Sequence, residues 1–162
     1  MSGDNDSLIL ALGNPLRGDD GFGAALLAYL QQNFALDGAD FLDGGTAGLE
    51  TTLLLQPYRR AMILDIAEMG LPAGEWRRLP IQGVELESGS INNSLHNAGL
   101  QEALALGQAL GILPQEITLY CVQPRQIGWE PGLSREVERA IPAIADLIME
   151  EMGRHQWQKA EF

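Results

Sequence analysis

Three short apolar runs constrain the fold of this chain more than any other feature. They lie at residues 8–12, 61–66 and 117–122, and none alternates regularly between apolar and polar residues. Such runs are typical of strands buried on both faces of a parallel sheet. Between them, as at residues 20–32, apolar residues recur at the three-to-four spacing of an amphipathic helix. The alternation predicts a three-layer α/β fold, a mostly parallel twisted sheet of about five strands with helices on both faces.

Cap and turn residues place the other elements. We predict a second strand at 40–43, a helix from Thr46 to about Leu55, an edge strand at 75–79, a helix capped by Ser94 and ended by Gly111, and a final helix from Ser134 to about Met152. Pro142 should lie near the first turns of the final helix or kink it. The whole chain, 1–162, fits one domain, and we expect frayed ends at 1–6 and 154–162.

The charge excludes several classes of partner. The formal net charge is −12, from 10 Lys and Arg against 22 Asp and Glu. A surface of this sign repels phosphate groups, so we expect neither a nucleic acid nor a membrane as partner. The single cysteine, Cys121, lies in an apolar run and is expected in the core, and it excludes an internal disulfide. With no signal-peptide pattern at the start, these features predict a cytoplasmic protein.

Asp20, Asp65 and His96 each fall where an apolar run stops and a turn begins, and Asp43 has a similar position. Binding sites of parallel α/β sheets form outside the carboxyl ends of the strands, where these residues are expected to meet. Two carboxylates and an imidazole suit nickel, zinc or another first-row divalent ion and do not select among them. The sequence therefore predicts a metal-binding site made by Asp20, Asp65 and His96.

Neighbouring residues and the site residues themselves also have other interpretations. Gly13 and Gly18 have the spacing of a phosphate-binding loop, but two aspartates follow where lysine and a hydroxyl residue should stand, so that interpretation fails. Asp65 can instead cap a helix or bond a loop. An isolated histidine such as His96 is often a surface residue or a hydrogen-bonded loop residue. Gly44 and Gly45 are expected to give backbone freedom for a tight turn.

Ordered motifs extend from the first strand to the final helix. They are Gly-Asn-Pro-Leu at 13–16, Asp-Asp-Gly-Phe-Gly at 19–23, Asp-Gly-Gly-Thr-Ala-Gly at 43–48, Asp65, Ser-Leu-His at 94–96, Gly-Leu at 99–100, Pro124 and Gly-Leu-Ser at 132–134. In these motifs the chain resembles the endopeptidases that mature the large subunit of nickel–iron hydrogenases. The resemblance implies a twisted sheet between helices and an enzyme that removes a C-terminal extension from the hydrogenase precursor after nickel insertion.

The resemblance also implies residue roles. The family's metal-contacting positions fall on Asp20, Asp65 and His96, which would also be the catalytic residues, and Asp43 matches an acidic position expected to influence target recognition. Some members have glutamate where Asp20 stands; the shorter side chain keeps an oxygen ligand. The nickel would be carried by the precursor, with no permanently bound cofactor, and the free enzyme would be a monomer. One carboxylate, which the sequence does not assign, would act as the base.

The sequence leaves three rival functions open. A nickel-dependent assembly chaperone would need the same ligands without cleaving the precursor. A peptidyl-tRNA hydrolase also has Gly-Asn-Pro after its first strand and a His-Asn pair like residues 96–97, but the net charge of −12 opposes tRNA binding. A general metallopeptidase would hold its own zinc in stoichiometric amount.

Overall fold

The apolar runs form three adjacent strands of one five-stranded sheet, as predicted. The computed structural model describes residues 5–35, 37–81 and 98–160, with only the backbone described for 98 and 155–160. The strands are β1 (Ser7–Ala11), β2 (Ala39–Asp43), β3 (Arg60–Ile66), β4 (Trp76–Ile81) and β5 (Glu116–Val122). Their order across the sheet is β2-β1-β3-β5-β4. Strand β4 runs antiparallel along one edge and the other four are parallel, which confirms the mostly parallel sheet.

Helices cover both faces of this sheet. They are α1 (Phe22–Asn33), α2 (Thr51–Leu55), α3 (Ala98–Leu110) and α4 (Arg135–Ala160), and a 3₁₀ turn at Gly18–Gly21 precedes α1. Helices α1 and α4 pack on one face, around Ile9, Leu64 and Tyr120. Helices α2 and α3 pack on the other face, which contains Cys121, fully buried as predicted. Among the described residues, no helix has the length and apolarity needed to cross a bilayer.

Two predicted helix boundaries differ from the structure. Thr46 does not start a helix, because residues 46–50 form a turn and α2 begins only at Thr51. The Gly48 carbonyl accepts the Thr51 N–H at 3.0 Å, while the Gly48 N–H donates to the Thr51 hydroxyl at 3.3 Å. The final helix follows Ser134 as predicted, but Pro142 lies inside it and it continues to Ala160. The predicted cap Ser94 lies outside the described residues.

The strand order determines where a site can form. From β1 the chain passes through α1 to β2 on one side, then through α2 to β3 on the other side of β1. The order of the strands therefore reverses at β1, and in open α/β sheets this is the place, outside the carboxyl ends of the strands, where ligands bind. Asp20, Asp43 and Asp65 all follow or end strands at this edge of the sheet.

Asp40, on the outermost parallel strand β2, pairs with the phenol of Tyr58, which lies between α2 and β3. The Tyr58 hydroxyl donates to Asp40 Oδ2 at 2.6 Å, and Asn5 Nδ2 donates to Asp40 Oδ1 at 2.9 Å. The bond to the carboxylate raises the pKa of Tyr58 to about 12. The same bond, with that from Asn5, lowers the pKa of Asp40. Both shifts favour the folded protein between the ordinary titration ranges of the two groups.

We predict that the Tyr58 phenol ionises near pH 12 and that Asp40→Asn returns its pKa toward about 10. A phenol whose pKa is raised by folding stabilises the fold below its unfolded value and loses that contribution as the pH rises through the folded one. Absorbance titration at 295 nm, with Tyr58→Phe identifying the Tyr58 contribution, measures the shift. Identical titrations of the wild type and Asp40→Asn would contradict the assignment.

Candidate functional site

Asp20 is held at the carboxyl end of β1 by close backbone contact. Its Oδ2 accepts the Asn14 N–H at 2.9 Å. Gly13 lies against it with φ +122°, and a Cβ on Gly13 would lie 2.1 Å from the Asp20 carbonyl oxygen and 3.1 Å from Oδ1. A side chain does not fit in this space, and the backbone angle favours glycine. The glycine therefore allows Asp20 to approach the end of the strand.

Asp65 lies on β3, one residue before its end, and is only 2% exposed. It is in register with Cys121 on β5, and its Oδ1 accepts the Ile66 N–H at 2.8 Å. Burial, and secondarily the Asp65 charge, raise the pKa of the Cys121 thiol. Because the thiol stays protonated at neutral pH, Cys121 is unsuited to act as a nucleophile.

A short series of contacts connects Asp20 to Asp65. Asp20 lies against Gly13, and Leu12 is the residue before Gly13. The Leu12 N–H donates to the carbonyl of Leu64 at 3.0 Å, and Leu64 is the residue before Asp65. Gly23 in the first turn of α1 is seated on both strands, since a Cβ there would lie 2.6 Å from the carbonyl oxygens of Leu12 and Leu64. The start of α1 therefore rests over the ends of β1 and β3. Two of the three predicted site residues thus lie at one edge of the sheet.

The third predicted residue, His96, lies outside the described residues. Within 5–35, 37–81 and 98–154, no three His, Cys, Asp or Glu side chains are grouped so that they could hold a metal ion. Asp20 and Asp65 supply two oxygen donors, and a nitrogen donor from His96 would complete the predicted set. The assignment of the three residues as metal ligands and catalytic groups therefore stays a prediction.

Asp43 adjoins the same edge through the glycines that follow it. The Gly44 N–H donates to the Ala11 carbonyl at 2.8 Å, and the Gly13 N–H donates to the Gly45 carbonyl at 2.9 Å. Gly45 has φ +62°, which confirms the tight turn, and its N–H donates to Asp43 Oδ1 at 3.0 Å. The Asp43 side chain is exposed beside this turn, so an approaching peptide can reach it.

Asp19, to which the sequence analysis gave no role of its own, is a buried residue that joins three segments of the chain. Its side chain is fully buried and accepts four hydrogen bonds. Oδ2 accepts the N–H groups of Arg125 and Gln126 at 2.8 and 3.1 Å and the Ser134 hydroxyl at 2.9 Å, while Oδ1 accepts the Ser134 N–H at 2.7 Å. One carboxylate thereby joins the turn before α1, the loop after β5 and the start of α4.

Gln123, which sequence analysis also missed, holds the loop after β3. Its side chain is 4% exposed, and Oε1 accepts the N–H groups of Met69 and Leu71 at 2.7 and 3.3 Å. Its Nε2 donates to Glu68 Oε1 at 2.9 Å. A glutamine in the sequence gives no local sign of this role, because the partners of Gln123 lie on another loop.

We predict that Asp19→Asn lowers the free energy of unfolding by about 2–4 kcal/mol, because the amide nitrogen cannot accept from the donors that face it. Chemical denaturation measures the change, and the melting temperature should fall by roughly 2–4 °C per kcal/mol. Asp146→Asn, on the exposed face of α4, serves as the control and should leave stability nearly unchanged. Equal stability of the two variants would contradict the structural role of Asp19.

Comparisons with known proteins agree on one family. The family model described as hydrogenase maturation protease matches residues 25–151. The hydrogenase expression/formation protein HupD of Thiocapsa roseopersicina is 36% identical over 150 residues, which cover 89% of this chain and 66% of that protein. The chain therefore spans slightly less than two thirds of the length of this relative.

Solved structures extend the likeness to the fold. The hydrogenase maturating endopeptidase HybD from E. coli superposes with a TM-score of 0.80 at 25% identity, covering 92% of this chain and 93% of that one. A hydrogenase 2 maturation peptidase from Thaumarchaeota archaeon SCGC_AB-539-E09 gives a TM-score of 0.71 at 34% identity, covering 92% and 99%. The architecture around Asp20 and Asp65 is thus shared with peptidases along nearly the whole chain.

Proposed function

This chain belongs to the hydrogenase maturation protease family, and from that premise we propose that it removes the C-terminal extension of a nickel–iron hydrogenase large-subunit precursor. The family makes it a hydrolase of peptide bonds. The C-terminal site of cleavage, the dependence on nickel and the roles of individual residues are parts of the proposal. The observation that carries it is the placement of Asp20 and Asp65 at one edge of the sheet in a chain with this fold.

The two carboxylates support recognition of a metal ion that arrives with the precursor. Carboxylate oxygens bind divalent first-row ions, and an imidazole from His96 would add the nitrogen ligand that nickel accepts readily. Asp65 lies in a mostly apolar layer, where the attraction between a carboxylate and an incoming cation is larger than in water. We therefore propose that the nickel belongs to the substrate and that the enzyme has no resident cofactor.

The chemistry follows from docking the metal-bearing precursor at this edge. Ligation of its nickel by Asp20, Asp65 and His96 would place the scissile peptide over the carboxyl ends of β1 and β3. The ion would polarise the peptide carbonyl or lower the pKa of a bound water. One of the two carboxylates would take the proton from the attacking water. Cleavage would then occur only after correct metal loading, and Asp43 beside the site would influence which precursor is accepted.

Two accompanying features belong to the same proposal. We place the enzyme in the cytoplasm, since its one cysteine is a buried thiol and needs no oxidising compartment. We also propose that it is a monomer when free. Family membership favours cleavage over the chaperone and peptidyl-tRNA hydrolase alternatives, because the two solved structures described above are of peptidases.

We predict that Asp20→Asn, Asp65→Asn and His96→Ala each slow processing of the nickel-loaded precursor by at least about 100-fold, the size of effect expected for a lost general base or metal ligand. Mass spectrometry of the precursor before and after incubation measures the shortening. Asp146→Asn provides a matched loss of an exposed carboxylate and should process normally. The folded state of each variant is checked by its melting curve.

Full processing by the Asp65 and His96 variants would remove the proposed mechanism. A wild-type protein that binds the precursor tightly but never shortens it would instead support the chaperone alternative.

We further predict that cleavage needs nickel in the precursor and that the purified enzyme holds no stoichiometric metal. Precursor made in nickel-depleted cells should stay at full mass with wild-type enzyme, and elemental analysis should find well under one metal per chain. Restoring nickel to the precursor should restore cleavage, whereas adding zinc to the enzyme should not. Stoichiometric zinc together with cleavage of nickel-free precursor would identify a general metallopeptidase.

A further inference from the structure

An exposed aromatic–cation surface adjoins the turn that carries Asp20. It consists of Leu16, Arg17 and Trp129 and is called the Arg17–Trp129 surface below. The guanidinium carbon of Arg17 lies 4.5 Å from the centroid of the Trp129 ring, within the range of a cation–π contact. Trp129 is 80% exposed and Leu16 is 64% exposed. A tryptophan this exposed presents a large apolar area, and such areas commonly mark contact sites for other proteins.

Arg17 is one of four arginines that form no ion pair with a carboxylate within the described residues, the others being Arg59, Arg135 and Arg139. Five arginines pair with carboxylates in the described residues, namely Arg60, Arg77, Arg78, Arg125 and Arg154. In the same part of the chain, Arg17 forms no such pair and contacts Trp129 instead. Its Nε is buried and has no hydrogen-bond partner there. One face of the guanidinium is occupied by the indole, while a planar guanidinium can still donate from its edge to a carboxylate.

The two loops that form the surface are fastened to each other and to the site. The Gly18 N–H donates to the Glu130 carbonyl at 2.8 Å, and the Asp19 N–H donates to the Gln126 carbonyl at 3.1 Å. Arg17 accepts the Asp20 N–H through its carbonyl oxygen at 3.2 Å. The backbone segments that carry Arg17 and Trp129 are therefore held close to Asp20. A protein whose peptide is held at Asp20 must pass close to them.

We propose that the Arg17–Trp129 surface docks the hydrogenase precursor by receiving one of its acidic side chains on Arg17 and a neighbouring apolar side chain on Trp129 and Leu16. The inference rests on the proposed function and adds a binding surface to the same site. Position and charge together select this occupant, because an enzyme with a net charge of −12 repels a carboxylate over most of its surface, whereas Arg17 places a cation without an ion pair beside the turn that carries Asp20. The contact gives affinity and orientation and takes no part in bond cleavage.

The test compares steady-state cleavage of nickel-loaded precursor by wild type, Arg17→Gln, Trp129→Ala and the double variant. Each single change should raise KM about tenfold with kcat nearly unchanged, as for a lost interface anchor that touches no reacting atom. In the double variant KM should rise by less than the product of the two single increases, since the two side chains act as one surface. Arg59→Gln, at the opposite edge of the sheet, and Leu110→Ala, exposed on α3, are the matched controls and should leave KM unchanged.

A charge exchange identifies the partner group. Single Asp→Lys and Glu→Lys changes in the precursor should include one that raises KM with wild-type enzyme and is rescued by Arg17→Glu. Unchanged KM in Arg17→Gln and Trp129→Ala, while the wild type cleaves, would overturn the docking inference alone. Absence of cleavage and of binding by the wild type would overturn the proposed function, and the inference with it. Trp129-dependent dimers in sedimentation experiments would show that a second copy of this chain occupies the surface, which also overturns it.

Discussion

The buried carboxylate of Asp19 fixes the geometry on which the candidate site depends. Four donors from Arg125, Gln126 and Ser134 converge on its two oxygens, so the charge is stabilised without contact with water. The same residue forms the turn that carries Asp20, and its own N–H is bonded to the loop after β5. A change in this carboxylate would therefore be transmitted to the site and to the loop that carries Trp129. Of two adjacent aspartates, one organises the structure and the other is presented at the edge of the sheet.

Close packing of glycine backbones is the second constraint. Gly13 and Gly23 lie where any Cβ would overlap carbonyl oxygens of Asp20, Leu12 or Leu64. Because neither residue has a side chain, the 3₁₀ turn and the start of α1 can pack directly against the ends of β1 and β3. The glycines of the first two motifs thus allow the close approach of two chain segments. In this loop, which has phosphate-binding spacing, the close approach places the Asp20 carboxylate at the end of β1.

The sequence predicts most of the fold and only part of the site, for identifiable physical reasons. Burial on both faces leaves continuous apolar runs, so β1, β3 and β5 are predictable, as is the edge position of β4. The prediction that Thr46 starts a helix was wrong. A capping residue is only a local signal, and here the hydrogen bonds between Gly48 and Thr51 delay the start of α2 to Thr51. The role of Asp19 was missed, since its partners lie 106 to 115 residues along the chain. The contact of Arg17 with Trp129 depends on the same distant pairing of loops.

Under the proposed function, the positions of Asp20 and Asp65 would let metal loading control cleavage through charge. The loops that carry Asp19 and Trp129 are joined by hydrogen bonds before the precursor arrives, and under the proposal the cation would arrive with the substrate. Positive charge on the precursor's nickel would compensate Asp20 and Asp65, and without the ion two negative groups at one edge would disfavour the docked state. Discrimination between loaded and unloaded precursor would then follow from electrostatics at the site, while the proposed contacts of Arg17 and Trp129 would supply binding that both forms share. Selectivity for nickel loading and affinity for the partner would thus reside in different residues of one surface.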